Sequence, residues 1–155
     1  MRDATLHLGQ ILRFSADPFA EGPSAARHDS AGALLVADGQ IVDTGAATTL
    51  CARYPDALRV DHGAGLLLPG FIDAHAHYPQ TAIIASWGKR LIDWLNSYTF
   101  PEEMRFADPA YAVEIAGRYL DLLLQHGTTS TCSYCTIHPE SVDAIFDAAQ
   151  SRGMR

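Results

Sequence analysis

The sequence predicts an α/β chain: parallel-strand units packed with helices, behind a small β-rich preface. Three observations carry this prediction. Residues 69–155 alternate strand, helix, strand and helix patterns, the order of a parallel sheet with helices outside it. Residues 1–68 hold several short strand patterns and only one short helical one. At the join, the apolar strand pattern of Phe71-Ile72 runs into His75-Ala76-His77 and stops at Pro79.

In chain order, Thr5 to Phe14 alternates loosely and reads as a strand. Residues 17–30, rich in Pro, Gly, Ser and Ala, read as a loop. Ala33–Val36 and Gln40–Asp43 flank Asp38-Gly39, the strongest short hairpin signal. Ala46 to Tyr54 reads as a short helix that ends before Pro55. Leu58–Asp61 is a further strand, with His62-Gly63 as a turn.

The texture changes at Pro69. Phe71 and Ile72 suit a parallel strand buried on both faces. Thr81 to Lys89 has no clear period and is long for a connection. Leu91, Trp94 and Leu95 share a helical face, followed by an irregular Tyr98-Thr99-Phe100-Pro101. Asp108 can cap a helix with Pro109 in its first turn. Tyr111, Ile115, Tyr119, Leu122 and Leu123 trace its apolar face, and Gly127 ends it. Thr128 to Tyr134 is the second parallel strand. Pro139 opens another helix, with Val142, Ile145, Phe146 and Ala149 on one side. A complete eight-unit barrel needs roughly 250 residues. The expectation is therefore the front of a longer protein, stopping at Arg155 where a third strand would begin.

Side chains alternate along a strand, so Asp73, His75 and His77 share one face. Pro79 cannot continue a central ladder, which puts the two imidazoles at the strand's C-terminal tip. Barrels and open α/β sheets place their chemistry at that end. Neutral imidazole suits zinc, iron and related metals. Two histidines are half a site, because a catalytic zinc usually has three protein ligands and an open position for water. The bland alternative is a pair of ordinary histidines at a strand end. The apolar run before them and the Tyr78-Pro79 stop after them favour the metal reading.

Composition narrows the partners. Of 155 residues, 48% are hydrophobic and 19% charged, the profile of a globular chain. The formal charge of −7 comes with no basic stripe, which argues against nucleic acid or an anionic membrane. No apolar run approaches a membrane span, and the N-terminus lacks a signal-peptide pattern. The three cysteines, Cys51, Cys132 and Cys135, fit reduced thiols in a cytoplasmic protein.

Pro69-Gly70-Phe71-Ile72-Asp73-Ala74-His75-Ala76-His77 behind a β-rich unit resembles the amidohydrolase superfamily. Further segments narrow the resemblance to its guanine deaminases: His77-Tyr78-Pro79-Gln80-Thr81, Trp94-Leu95, Tyr98-Thr99-Phe100-Pro101-Glu102, Arg105-Phe106-Ala107-Asp108, His126-Gly127-Thr128-Thr129 and Thr136-Ile137-His138-Pro139. The resemblance covers residues 66–155 well and the preface in outline. It implies an incomplete TIM (β/α)8 barrel over 69–155. Residues 1–68 would then be the N-terminal part of a composite β-sandwich. The implied reaction converts guanine to xanthine and ammonia in purine catabolism, by a metal-activated hydroxide.

The resemblance also implies roles. His75 and His77 match the first two ligands of one divalent metal, zinc first and ferrous iron as the alternative. His77, Tyr78, Pro79 and Gln80 match the substrate side. By spacing alone Gln80 is a solvated loop residue; by resemblance its amide reads the mixed edge of guanine. Two more histidines, an aspartate and a proton-shuttling glutamate are expected from later strands. No residue of this chain is therefore assigned as catalytic acid or base, and the chain alone is expected to be inactive and poorly soluble. The implied full-length protein is a cytoplasmic homodimer.

Other features mislead. Cys132-Ser133-Tyr134-Cys135 has a metal-like spacing, but positions three apart on a strand face opposite ways, so buried thiols are expected. His7 reads as a surface strand residue, while His28 and His62 fall in loops. His126 suits a helix C-terminus, and His138 a turn. Glu102 and Asp108 read as capping or solvent-facing, and Trp94 and Phe100 as core. Two other functions remain open: an amidohydrolase acting on another heterocyclic amine or cyclic amide, and a non-catalytic metal-binding or assembly module.

Overall fold

The structure, a computed structural model, describes residues 4–155. They form two compact units, one running to Pro69 and one spanning Gly70–Arg155.

The first unit is a four-stranded sheet in the order β3-β2-β1-β4. Its strands are β1 (Thr5–Phe14), β2 (Ala26–Ala37), β3 (Gln40–Ala46) and β4 (Leu58–Leu67). Helices α1 (Pro18–Glu21) and α2 (Ala47–Arg53) connect them. β1 pairs antiparallel with β2 and parallel with β4. The hairpin turns at Asp38 (φ 50°) and Gly39 (φ 72°), two left-handed residues of the kind that match strand twist. Leu6, Ala33, Leu35 and Leu50 fill the core.

Two expectations are corrected here. The segment 17–30 is not a loop. Asp17 Oδ1 accepts from the Phe19 N–H at 2.8 Å and starts α1. From Ala26 the polar run is already β2, paired to Phe14 and Arg13. Main-chain pairing with β1 overrides a composition that reads as irregular. His62-Gly63 is not a strand-ending turn either. β4 continues through it as a large bulge: Leu8 faces Asp61, and two residues later Gln10 faces Leu66. Gly63 (φ 57°) allows that detour.

The second unit has two parallel strands, β5 (Phe71–His77) and β6 (Thr128–Tyr134), paired from Phe71↔Thr128 to His77↔Tyr134 with two shifts of register between. Helices α5 (Pro109–Gln125) and α6 (Pro139–Ser151) follow the alternation the sequence predicts. The Asp108 carboxylate caps α5 by accepting from the Ala110 N–H at 2.9 Å. Arg155 hydrogen-bonds β6 in the manner of a parallel neighbour. Its N–H donates to Thr129 O at 3.2 Å, and its carbonyl accepts from the Thr131 N–H at 2.8 Å.

The core holds Tyr78, Phe106, Ile115, Leu120 and Ile145. On α5 the buried stripe is Ala112, Ile115, Ala116, Tyr119 and Leu120, while Leu122 stays partly exposed. The stripe is turned from the predicted face because two alanines lie in the seam where the larger side chains were expected to point. Val142 and Phe146 of α6 are likewise exposed. Phe71 and Ile72, expected to be covered on both faces, are 57% and 74% exposed. Among the described residues β5 has one strand neighbour, β6, and lacks the second cover that a central strand receives.

The segment between β5 and α5 is largely helical, with an irregular stretch over residues 84–90. A 3-10 helix spans Tyr78–Ile83, then come α3 (Leu91–Trp94), a π turn (Leu95–Thr99), α4 (Phe100–Met104) and a 3-10 turn (Arg105–Ala107). The expected irregular stretch at 98–101 is thus helix. Pro101 has no N–H and would clash with a carbonyl four residues back, and the wider π turn just before it accommodates the ring.

Replacing buried Leu120 by alanine is expected to cost about 2–5 kcal/mol of stability. Asp108→Ala removes the α5 cap and is expected to cost about 1 kcal/mol. Urea unfolding of the two variants against wild type measures both.

Candidate metal site

Strand β5 ends with His75 and His77 on the same face. Their ring centres lie 5.3 Å apart, tilted by 59°. Two imidazoles sharing one tetrahedral cation, at metal–nitrogen distances of about 2.0–2.1 Å, put their ring centres roughly 5 Å apart. The spacing of the pair is compatible with two ligands of one divalent metal. Among the described residues no cluster of three or more His, Cys, Asp or Glu surrounds a common point. Asp73, on the same face, turns back on its own strand and accepts from the His75 N–H at 3.1 Å.

Tyr134, which the sequence reading left out, packs against both imidazoles. Its ring centre is 5.3 Å from that of His75 and 4.8 Å from that of His77, nearly parallel to the latter. The signal for it lay in the parallel register, since the last residue of β6 sits opposite the last residue of β5. The aromatic face limits the rotamers open to both rings and shields one side of the pair from water.

The cleft beside the pair has a volume of about 360 Å³, within the span usual for small-molecule sites. His75, His77, Gln80, Thr81, Trp94 and Leu122 are among its lining residues. Trp94, expected in the core, is one wall instead, held by its indole N–H donating to Ser86 O at 3.1 Å. Ala85 also lines the cleft and has φ 64°, a strained conformation for a residue with a Cβ. Gln80 Nε2 donates to Glu103 Oε1 at 3.1 Å, which brings α4 to the cleft.

Tyr78 and Pro79 are placed differently from the sequence expectation. Their side chains are fully buried, and neither lines the cleft. Beyond His77 the chain enters the 3-10 helix, which turns Tyr78 inward. Its N–H donates to Ser133 Oγ at 3.0 Å, and its hydroxyl donates to Ser141 O at 2.5 Å. Burial, then the nearby Cys135, raises the Tyr78 phenol well above its ordinary value, so it stays neutral. Tyr78 meets Phe106 edge-on at 5.5 Å, clamping the strand end to the helical layer.

Glu102 is almost buried rather than solvent-facing. It accepts from the Tyr111 hydroxyl and pairs with Arg105 at 3.0 Å, and the Arg105 guanidinium lies 3.7 Å from the Tyr111 ring centre. A buried carboxylate with both partners in place is held as a unit. Phe100 is about half exposed, not core.

Cys132 is exposed and Cys135 partly buried, so the first departs from the buried-thiol expectation. A larger cavity of about 550 Å³, lined by Cys132, Cys135, Phe146 and Arg155 among others, contains no paired imidazoles. His126 Nδ1 lies 2.9 Å from Leu122 O at the end of α5, the helix-terminus position anticipated for it. His7 and His62 hydrogen-bond each other at 3.1 Å in the first unit.

The Amidohydrolase family model matches residues 66–155, and a model of the bacterial imidazolonepropionase-like composite domain matches residues 32–57. The guanine deaminase of Escherichia coli K12 is 41% identical over 133 residues, covering 85% of this chain and 30% of the relative. The crystal structure of guanine deaminase from Bradyrhizobium japonicum superposes with a TM-score of 0.90 at 32% identity, covering 99% of this chain and 34% of that one. The guanine deaminase of C. acetobutylicum, solved with guanine bound in its active site, gives a TM-score of 0.81 at 26% identity, covering 98% of this chain and 35% of that one. The chain thus spans about a third of the length of the proteins it matches.

The Tyr111 phenol is pushed up to about 12, first by burial and then by its bond to Glu102. A folded-state value raised above the ordinary 10.0 means full stability below pH 10 and loss as pH rises through about 12. Thermal melts from pH 8 upward are expected to show that alkaline decline, and Tyr111→Phe to flatten it.

Proposed function

We propose, from the premise that this chain belongs to the amidohydrolase family, that it is the N-terminal part of a guanine deaminase, converting guanine to xanthine and ammonia in purine catabolism. The observation that carries this reading is the tilted His75–His77 pair at the tip of β5, opening onto a cleft that also exposes Gln80. Its likeness to proteins named guanine deaminase supports the choice of substrate.

His75 and His77 would hold a divalent cation, zinc first and ferrous iron as the alternative, since imidazole suits both. Such a cation would activate water near neutral pH for attack on the carbon bearing the exocyclic amine. The residues of this chain prepare that attack. Tyr134 fixes the two imidazoles. Gln80 meets the base with a mixed donor and acceptor amide, and His77 flanks the same side. Trp94 supplies an apolar wall, and Tyr78 and Pro79 act from beneath by anchoring the strand end. The acid–base group and the remaining ligands are assigned to later barrel strands. The first unit is read as part of a composite β-sandwich, in line with the composite-domain match over 32–57.

The net charge, with no basic stripe, fits a small-molecule substrate rather than nucleic acid. Among the described residues no helix is long and apolar enough to cross a membrane. A cytoplasmic location suits the sparse free thiols, and a homodimer, the commonest form among soluble homo-oligomers in general, is the assembly proposed for the full-length protein.

The full-length protein is expected to release xanthine and ammonia from guanine, to lose activity to a chelator and to regain it with added zinc. His75→Ala and His77→Ala are each expected to lower kcat/KM by more than about a hundredfold and to reduce bound metal. Turnover of a triazine or another heterocyclic amine in place of guanine would move the reading to another amidohydrolase. The 155-residue chain alone, with two of the ligands, is expected to form no xanthine under the same assay.

A further inference from the structure

We propose that Glu103 is a positioning residue: it fixes which way round the Gln80 amide faces the cleft, and so which base edge the site accepts. This rests on the reading of Gln80 as a purine contact. Gln80 Nε2 lies 3.1 Å from Glu103 Oε1. An ionised carboxylate accepts hydrogen bonds and donates none. The amide can therefore face Glu103 only with its nitrogen, which turns its carbonyl oxygen to the other side. The two ends of a glutamine amide are interchangeable until a partner decides between them, and here the partner is acceptor-only.

Two further observations set Glu103 apart from its neighbours. Arg105 pairs with Glu102, which also binds the Tyr111 hydroxyl, so that carboxylate is engaged elsewhere. Gln80 lines the cleft, whereas Glu103 does not. Substrate thus meets the amide, and Glu103 acts through it. Held this way, Gln80 offers an acceptor oxygen and its second N–H to a bound ring. A base with a ring N–H or amino group opposite that oxygen pairs with it. A base with a bare ring nitrogen there leaves two acceptors face to face, and half-buried unpaired groups are costly. Guanine carries N1–H, the 6-carbonyl and the 2-amino group; 2-aminopurine keeps the same reacting carbon and amine but lacks the 6-carbonyl and, with it, N1–H.

The test uses the full-length protein with guanine and 2-aminopurine. Glu103→Gln lets either end of the Gln80 amide find a partner. Glu103→Asp keeps the charge but shortens the arm by one methylene. Both variants are expected to raise KM for guanine about tenfold, with kcat within about twofold. The guanine to 2-aminopurine ratio of kcat/KM should fall by about the same factor, with the thermal midpoint unchanged. If Glu103→Gln fails to fold, Glu103→Asp carries the measurement. An unchanged ratio in the folded variants, including an equal loss on both substrates, overturns the proposal and makes Glu103 a support of its helix. Wild-type protein that forms no xanthine from guanine overturns the underlying reading, and this inference falls with it.

Discussion

The site depends on one reversal of direction between His77 and Tyr78. His77 points out at the end of a parallel strand, and Tyr78 points in at the start of a 3-10 helix. The inward ring is buried, bonded through its hydroxyl to Ser141 O and packed against Phe106. That anchor fixes the strand end against the helical layer, and the outward imidazole inherits the rigidity. Two flexible histidines would lose side-chain entropy each time they gathered a cation. Here the Tyr78 anchor below and the Tyr134 ring packed against both imidazoles reduce that loss.

Much of this was legible in the sequence for local reasons. The Asp38-Gly39 hairpin, the Asp108 cap and the Gly127 stop each depend on a few adjacent residues, and the structure has all three. The His-x-His pair was legible because strand alternation and a proline fix both face and position. Several of the differences turn on contacts distant in sequence. β2 begins earlier than composition suggests because β1 offers it a ladder. Tyr134 joins the site only once strand register is known. The resemblance set Tyr78 and Pro79 on the substrate side, whereas the chain turns both side chains into the core.

The helical segment between β5 and α5 was read least well and shapes the site most. It brings Trp94 to the cleft wall and Glu103 to Gln80. It also carries the Glu102, Arg105 and Tyr111 cluster, which ties that segment to α5. Its sequence has no clean period because the helix changes type repeatedly, and a pattern tuned to 3.6 residues per turn loses phase at each change.

The π turn at Leu95–Thr99 has an angular consequence. Each residue of an α-helix advances the side-chain direction by about 100°. The wider turn holds an extra residue, so everything after it is rotated relative to an uninterrupted α-helix. Trp94 lies before the offset and Glu103 after it. The place of Trp94 on the cleft wall and the reach of Glu103 to Gln80 therefore both depend on a local miscount in the winding of the backbone, and the relative aim of two side chains is stored in the length of a five-residue segment.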